Sequence, residues 1–252
     1  MARLILCFLL TVLLFSAGEV AAFEPEQEFA RANEFYENQD FEAALQIYTD
    51  LTDRGYESAA LFYNTGNCFF KMGELGYAVL YYLKARRLAP TDDDIEANLD
   101  FVRQFMPTRL EGVEVNPLVE FLNLLVDPFT LNRLAWIASL AFIIFILFLA
   151  AVVHFHMGGL GVRLIGYLLF VAMVITLGMA TYKFRNDVLT EKGVIIATES
   201  SIYSAPAADS DVEFVGTYGL TFEVLGAADE YRLVVFENKR RGWIKKDDIE
   251  II

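Results

Sequence analysis

Two histidines, two cysteines and a run of three aspartates are the residues here whose types could do chemistry, and none sits in a set that performs any. His154 and His156 are spaced by two, so on a helix they point to different sides and make a poor metal or haem pair. Cys7 lies in an apolar leader and Cys68 in a helical pattern. Removal of the leader leaves one thiol and no internal disulfide, and Cys68 reads as a small buried apolar residue. Asp92-Asp93-Asp94 precedes a helical stripe and reads as a cap that complements the helix dipole. There is no CxxC, phosphate-binding loop or HExxH. No catalytic, cofactor-binding or metal residue is therefore assigned, and the chain reads as a non-enzyme without cofactors. A different chemistry is on offer in Asn33, Asn64, Asn67 and Asn98. Their amides can hold the backbone of an extended peptide, with aromatic neighbours packing its side chains.

The elements that would position these amides recur with a period of 34 residues: Phe35 answers Phe69, Ala44 answers Ala78, and Tyr48 answers Tyr82. The second copy is fuller, with Phe62, Gly66, Phe69, Gly73, Ala78, Tyr82, Ala85 and Pro90. Gly66 and Ala78 let two antiparallel helices approach, Phe69 and Tyr82 fill the space beside them, and Pro90 ends the second helix. The first copy has Ala32 in place of Gly66 and Tyr56 in place of the proline. After the aspartate run, Ile95, Leu99, Val102 and Met106 form the stripe of a single closing helix. This pattern resembles the tetratricopeptide repeat over roughly residues 24–107. The resemblance implies an all-α repeat domain (residues 23–110) whose inner surface comes from the first helix of each repeat. That surface would be a protein-binding groove of Phe29, Asn33, Tyr36, Tyr63, Asn64, Asn67, Phe70 and Asn98. The basic residues with which related grooves clamp a terminal carboxylate are missing, since Phe29, Asp94 and Asn98 stand there. The competing reading is that these side chains only pack the two repeats together.

A net charge of −14 and the lack of a basic stripe exclude nucleic acid as a partner. The 56% hydrophobic content is too high for an ordinary soluble chain, and the excess is local. Residues 1–22 read as a signal peptide: Arg3, an apolar run over residues 4–15, and Val20-Ala21-Ala22 before the cleavage point. An uncleaved anchor is the alternative. Residues 134–153 and 164–182 lack charge and are each long enough to span a bilayer; the short connection between them makes a hairpin over residues 132–183. Asp127-Pro128 precedes the first span as a helix start, and Ala172, Thr176 and Ala180 on the second are either a small-residue face for close packing or ordinary composition. Residues 111–131 form a linker whose apolar stretch lies along the membrane surface or packs on the repeats. A cleaved signal and two crossings put the repeats and the C-terminus on one side, outside the cytoplasm. Arg133, Lys183 and Arg185 then run against the positive-inside tendency, and the signal takes precedence.

From Gly193 the period changes to that of short strands, separated by turns at Ala205-Pro206, Tyr218-Gly219, Gly226 and Asn238. Ile202-Tyr203-Ser204-Ala205-Pro206, Gly219, Gly242-Trp243-Ile244 and a closing turn at Asp248-Ile249 resemble the bacterial SH3 domain. The resemblance implies a small all-β barrel over residues 187–252. Members of that family bind cell-wall peptides or other proteins. The whole order of signal, repeats, membrane hairpin and small barrel resembles the BatE-type proteins of the bacterial aerotolerance cluster. That implies a two-pass scaffold of the inner membrane facing the periplasm. Its partners would be envelope proteins, namely von Willebrand A-type membrane proteins and a MoxR-type ATPase, with peptidoglycan binding through the barrel as the alternative.

Overall fold

A computed structural model describes residues 23–105 and 116–252. The signal-peptide reading of residues 1–22, Cys7 and the stripe residue Met106 lie outside the described residues. The chain divides into two compact units, one ending at Tyr56 and one beginning at Glu57.

The first unit is a helix hairpin, α1 (Pro25–Glu37) and α2 (Phe41–Asp53). Pro25 stands in the first turn of α1, where its missing N–H costs nothing. Asp40 caps α2 by accepting from the Ala43 amide. Ala32, Ala44, Ile47, Tyr48 and Leu51 are buried between the helices.

The second unit opens with a matching hairpin, α3 (Ala59–Met72) and α4 (Leu75–Leu88). Ser58 caps α3 through the Leu61 amide, and Gly73 ends it with φ of 84°. At Gly66 a Cβ would lie 2.8 Å from the Tyr82 ring, so the close approach expected of this glycine is real. Thr65, where the repeat pattern prefers leucine, is buried but satisfied by donating to the Leu61 carbonyl. Helix α5 (Asp93–Arg103) closes the stack with Ile95, Leu99 and Val102 buried, and Asp92 accepts from the amides of Asp94 and Ile95 at its start.

Helix α6 (Pro117–Val126) is capped by Asn116. Two long helices follow, α7 (Leu131–His154) and α8 (Leu160–Phe184), the latter continuing into a wide turn over Arg185–Leu189. Both are long and apolar enough to cross a membrane, and the most apolar stretch of each is unburied. They pack on each other through Phe145 against Phe170 and through Phe148 over Gly166. The helix that carries the first span does not start at Asp127-Pro128 but at Leu131. Asp127 ends α6, and the Thr130 hydroxyl accepts from the Arg133 amide to cap α7. On α8 the close approach falls at Gly166 rather than along Ala172, Thr176 and Ala180, where Ala172 is exposed.

Seven antiparallel strands complete the unit: β1 (Lys192–Ile195), β2 (Glu199–Tyr203), β3 (Val212–Thr217), β4 (Thr221–Ala228), β5 (Tyr231–Phe236), β6 (Arg241–Lys245) and β7 (Ile249–Ile251). Their order is β3-β2-β6-β5-β4-β1-β7. Where a closed barrel was expected, the ladder ends at β3 and at β7, so the sheet is open. It still wraps its own core of Ile195, Ile202, Leu220, Phe222, Val234, Phe236, Ile244 and Ile249. Two register shifts, at Ile202/Tyr203 and Val224/Gly226, supply the bending. Gly226 is therefore not a turn but part of the irregularity inside β4, and the turn comes at Asp229, with φ of 47°. The expected closing turn at Asp248-Ile249 is a short 3-10 turn that delivers β7 to the edge of β1.

The sheet and the second hairpin share a core. Val194 is buried among Ala78, Val79, Leu80, Leu83, Leu99 and Val102. At Gly76 a Cβ would lie 2.4 Å from the Ile196 carbonyl oxygen, so α4 meets the end of β1 backbone to backbone.

Candidate interaction surface

The eight side chains assigned to one groove fall into two sets, one in each compact unit. In the first, Asn33 on α1 accepts from the Tyr48 hydroxyl at 2.6 Å. Phe29 packs beside Tyr48 at 5.7 Å between ring centroids, and Tyr36 meets Phe41 edge-on at 5.3 Å.

In the second, α3 and α5 bring Tyr63, Asn67, Phe70 and Asn98 together. The Asn67 Oδ1 accepts from the Tyr82 hydroxyl at 2.7 Å and from the Asn98 Nδ2 at 3.0 Å. The same Asn98 nitrogen donates to the Tyr63 hydroxyl oxygen at 2.9 Å. A carbonyl oxygen has two lone pairs, and both are engaged in Asn67. What this amide can offer a partner is thus donation from its NH2 group, not the paired donor and acceptor contacts expected of it. Asn64, one helical residue-step from Tyr63, is half-buried on the same helix.

Sequence reasoning missed the aromatic edge of this surface. Phe101 and Phe105 stack edge to face at 5.3 Å, and Phe70 lies against them at 5.7 and 6.4 Å. Both are about half exposed, at 47% and 52%. The signal was available: Phe101 lies on the side of α5 away from Ile95, Leu99 and Val102, Phe105 follows four residues on, just past the helix end, and an acidic helix has no packing reason to carry phenylalanine there. The Tyr218 hydroxyl donates to the Phe105 carbonyl at 2.7 Å and ties this edge to the sheet.

Among the described residues no cluster of histidine, cysteine, aspartate or glutamate is arranged to hold a metal. Cys68 is fully buried. What the surface can do is pack apolar side chains on exposed rings and donate amide hydrogens beside them, the chemistry of protein recognition. The curated proteins compared with this chain gave no match. The model of one family does match: residues 29–93, from within α1 to the start of α5, fit the tetratricopeptide repeat.

Proposed function

We propose that the chain is a non-enzymatic, membrane-anchored scaffold that binds protein partners in a cell-envelope complex through the first helices of its repeats and the phenylalanine edge of α5. The binding residues are Tyr63, Asn64, Asn67, Phe70 and Asn98 in the second unit, with Phe29, Asn33 and Tyr36 as a separate patch on α1. The observation that carries the reading is the seat of α4 on β1. The hairpin of α7 and α8 lies between these elements in the chain, yet they pack together, which supports a hairpin that crosses a bilayer and returns to the same side. The leader, the modules and their order favour the periplasmic side of a bacterial inner membrane. They also favour the resemblance to BatE-type aerotolerance proteins, with von Willebrand A-type proteins and a MoxR-type ATPase as the partner system.

The test uses the full-length chain in detergent, as bait for solubilised cell envelopes. Phe70→Ala with Phe101→Ala should lower recovery of its specific partner about tenfold, the effect of one good aromatic anchor. Equal recovery by wild type and a variant of unchanged helical signal sinks the assignment of this surface.

A second reading, peptidoglycan binding through an SH3-like sheet, draws on one aromatic group. Tyr203 stands directly opposite Trp243 on neighbouring strands, and Tyr203 meets Tyr231 edge-on at 5.9 Å. Sedimentation of the full-length chain with purified wall material decides it: no retention removes it.

A further inference from the structure

We propose that α6 is a membrane-surface helix: the face carrying Leu118, Phe121, Leu124 and Leu125 lies in the boundary between lipid headgroups and acyl chains, held there by apolar burial alone. The inference rests on the membrane reading above and adds a lipid contact outside the two spans. At about 100° per residue these side chains fall within about a third of the helix circumference. They are exposed, from 43% at Leu125 to 71% at Leu124. The other side of the helix faces the protein. Val126 is buried there, and the Asn123 side chain accepts from the Tyr182 hydroxyl at 2.7 Å. Asp127, which ends the helix, lies 3.6 Å from the Lys183 ammonium. Helix α6 therefore turns its polar contacts inward and its leucines and phenylalanine outward, the reverse of a helix that faces water.

Its position says what covers that face. Asp127, Pro128, Phe129 and Thr130 are the whole connection between α6 and α7, and four extended residues reach at most about 14 Å. Tyr182 and Lys183, the residues that α6 touches, are among the last of α8. The start of one span and the end of the other form the same end of the hairpin. Both carry an aromatic residue of the kind enriched at a bilayer boundary, the exposed Trp136 near the start of α7 and Tyr182 near the end of α8. Helix α6 thus stands at the level where the spans leave the apolar layer, and an outward apolar face at that level meets lipid. Soluble surfaces avoid an exposed apolar face of this kind. The charge on the helix decides which lipid. Glu120 is the one charged residue in Pro117–Val126. Surface helices drawn to anionic lipid carry a basic face, and α6 has no lysine or arginine, so a neutral bilayer suffices and negative headgroups add nothing.

The experiment places one fluorescent label at a time on the full-length chain in phosphatidylcholine vesicles, through Phe121→Cys, Leu124→Cys or Ile143→Cys. Wild type treated in the same way gives the background of the natural thiols. Ile143, exposed near the middle of α7, is the deep reference. The quenchers are iodide in the water, a lipid nitroxide near the headgroup, and a lipid nitroxide at the end of the acyl chain. At both α6 positions the shallow nitroxide should quench about twice as strongly as the deep one, with iodide weak, and at Ile143 the order of the nitroxides should reverse. Replacing part of the phosphatidylcholine by phosphatidylglycerol should leave these ratios unchanged. Strong iodide quenching on α6 means a face in water. Protection from all the quenchers means a face covered by protein, a second copy included. Either result, stronger quenching by the deep nitroxide, or entry only into vesicles that contain phosphatidylglycerol overturns the proposal. If one α6 variant does not fold, the other decides. The reference separates the two readings. An Ile143 label that the deep nitroxide quenches, beside α6 labels that the shallow one does not, loses only this contact, whereas an Ile143 label that neither nitroxide reaches loses the membrane reading as well.

Discussion

In the first hairpin the Tyr48 hydroxyl donates to Asn33 at 2.6 Å; 34 residues later Tyr82 donates to Asn67 at 2.7 Å. The inner seams of the two repeats are thus copies, down to one polar contact between a helix and its partner. Their outer faces are not. Along the second helix of the first repeat, Glu42 and Gln46 are exposed and Thr49 is half-buried. The same register positions in the second repeat are Gly76, Leu80 and Leu83, all buried. The switch has a cause in the structure: β1 and the end of the sheet lie against α4, and the described residues of the first unit, taken by themselves, include no strand to cover α2. A repeat keeps its seam to stay a repeat. It changes its outer face when something must dock there.

The strongest way to break this contrast is at Gly76. A Cβ there would meet the backbone of Ile196 at 2.4 to 2.9 Å, and backbone on a paired sheet cannot retreat as a side-chain tip does. Gly76→Val should cost about 3 kcal/mol or more, read as a large fall in the melting temperature of the full-length chain. Glu42→Val, at the same repeat position on an exposed face, should change stability by no more than about 0.5 kcal/mol. Similar losses at both positions would show that the repeat register, not the docked sheet, dictates the glycine.

A sharper test exchanges the inner small residues. Gly66→Ala would bring a Cβ to 2.8 Å from the Tyr82 ring, which is buried and held through its hydroxyl by Asn67. The gain in helix propensity, about 1 kcal/mol, is outweighed by the clash, for a net loss of about 1–2 kcal/mol. Ala32→Gly in the first hairpin should also destabilise, by about 1 kcal/mol, through backbone entropy alone. If Gly66→Ala stabilises, the close approach is not what selects glycine there.

These residues also show what could be read from the chain. The 34-residue echo and the aspartate cap could be, because a helix hairpin is specified by neighbours close in sequence. The same holds for the apolar stripe of Ile95, Leu99 and Val102. The short strands were legible by their period, but their closure was not. Whether a sheet shuts or stays open depends on bulges such as that beside Gly226, and one glycine in a strand reads equally well as a turn. The seat of the sheet on α4 joins residues over a hundred positions apart, yet it left a trace. Comparing the two copies position by position, Glu42 against Gly76 and Gln46 against Leu80, exposes a face that one repeat buries and the other does not. The amides were the hardest to judge. Asn67 looks like a free peptide-holding group until Tyr82 and Asn98 are seen to occupy its oxygen.

The smallest expected effect concerns charge on the same two helices. Asp50 on α2 is exposed and pairs with Arg54 at 2.8 Å; its counterpart on α4, Lys84, is partly buried over the Tyr81 ring. Burial, aided by the nearby Arg87, pushes the Lys84 ammonium below the ordinary value of 10.5, against the opposing pull of Glu250 and Glu57. A lysine whose folded pKa is lowered is more protonated in the unfolded chain, so its contribution to stability rises with pH through the folded value and levels off above 10.5. Tyr77 works the other way. Burial and the carboxylates of Glu250 and Glu74 raise its pKa above 10.0, so above that pH the folded chain holds the extra proton and stability falls as pH climbs. The two effects separate below pH 10, where only the lysine acts. As pH approaches 10 from below, Lys84→Gln should make the melting temperature rise less, or fall more, with pH than in wild type. Asp50→Asn should leave that slope unchanged. Parallel slopes for wild type and Lys84→Gln would mean that the amine keeps its solvation, and that the sheet covers this part of α4 less tightly than Gly76 implies.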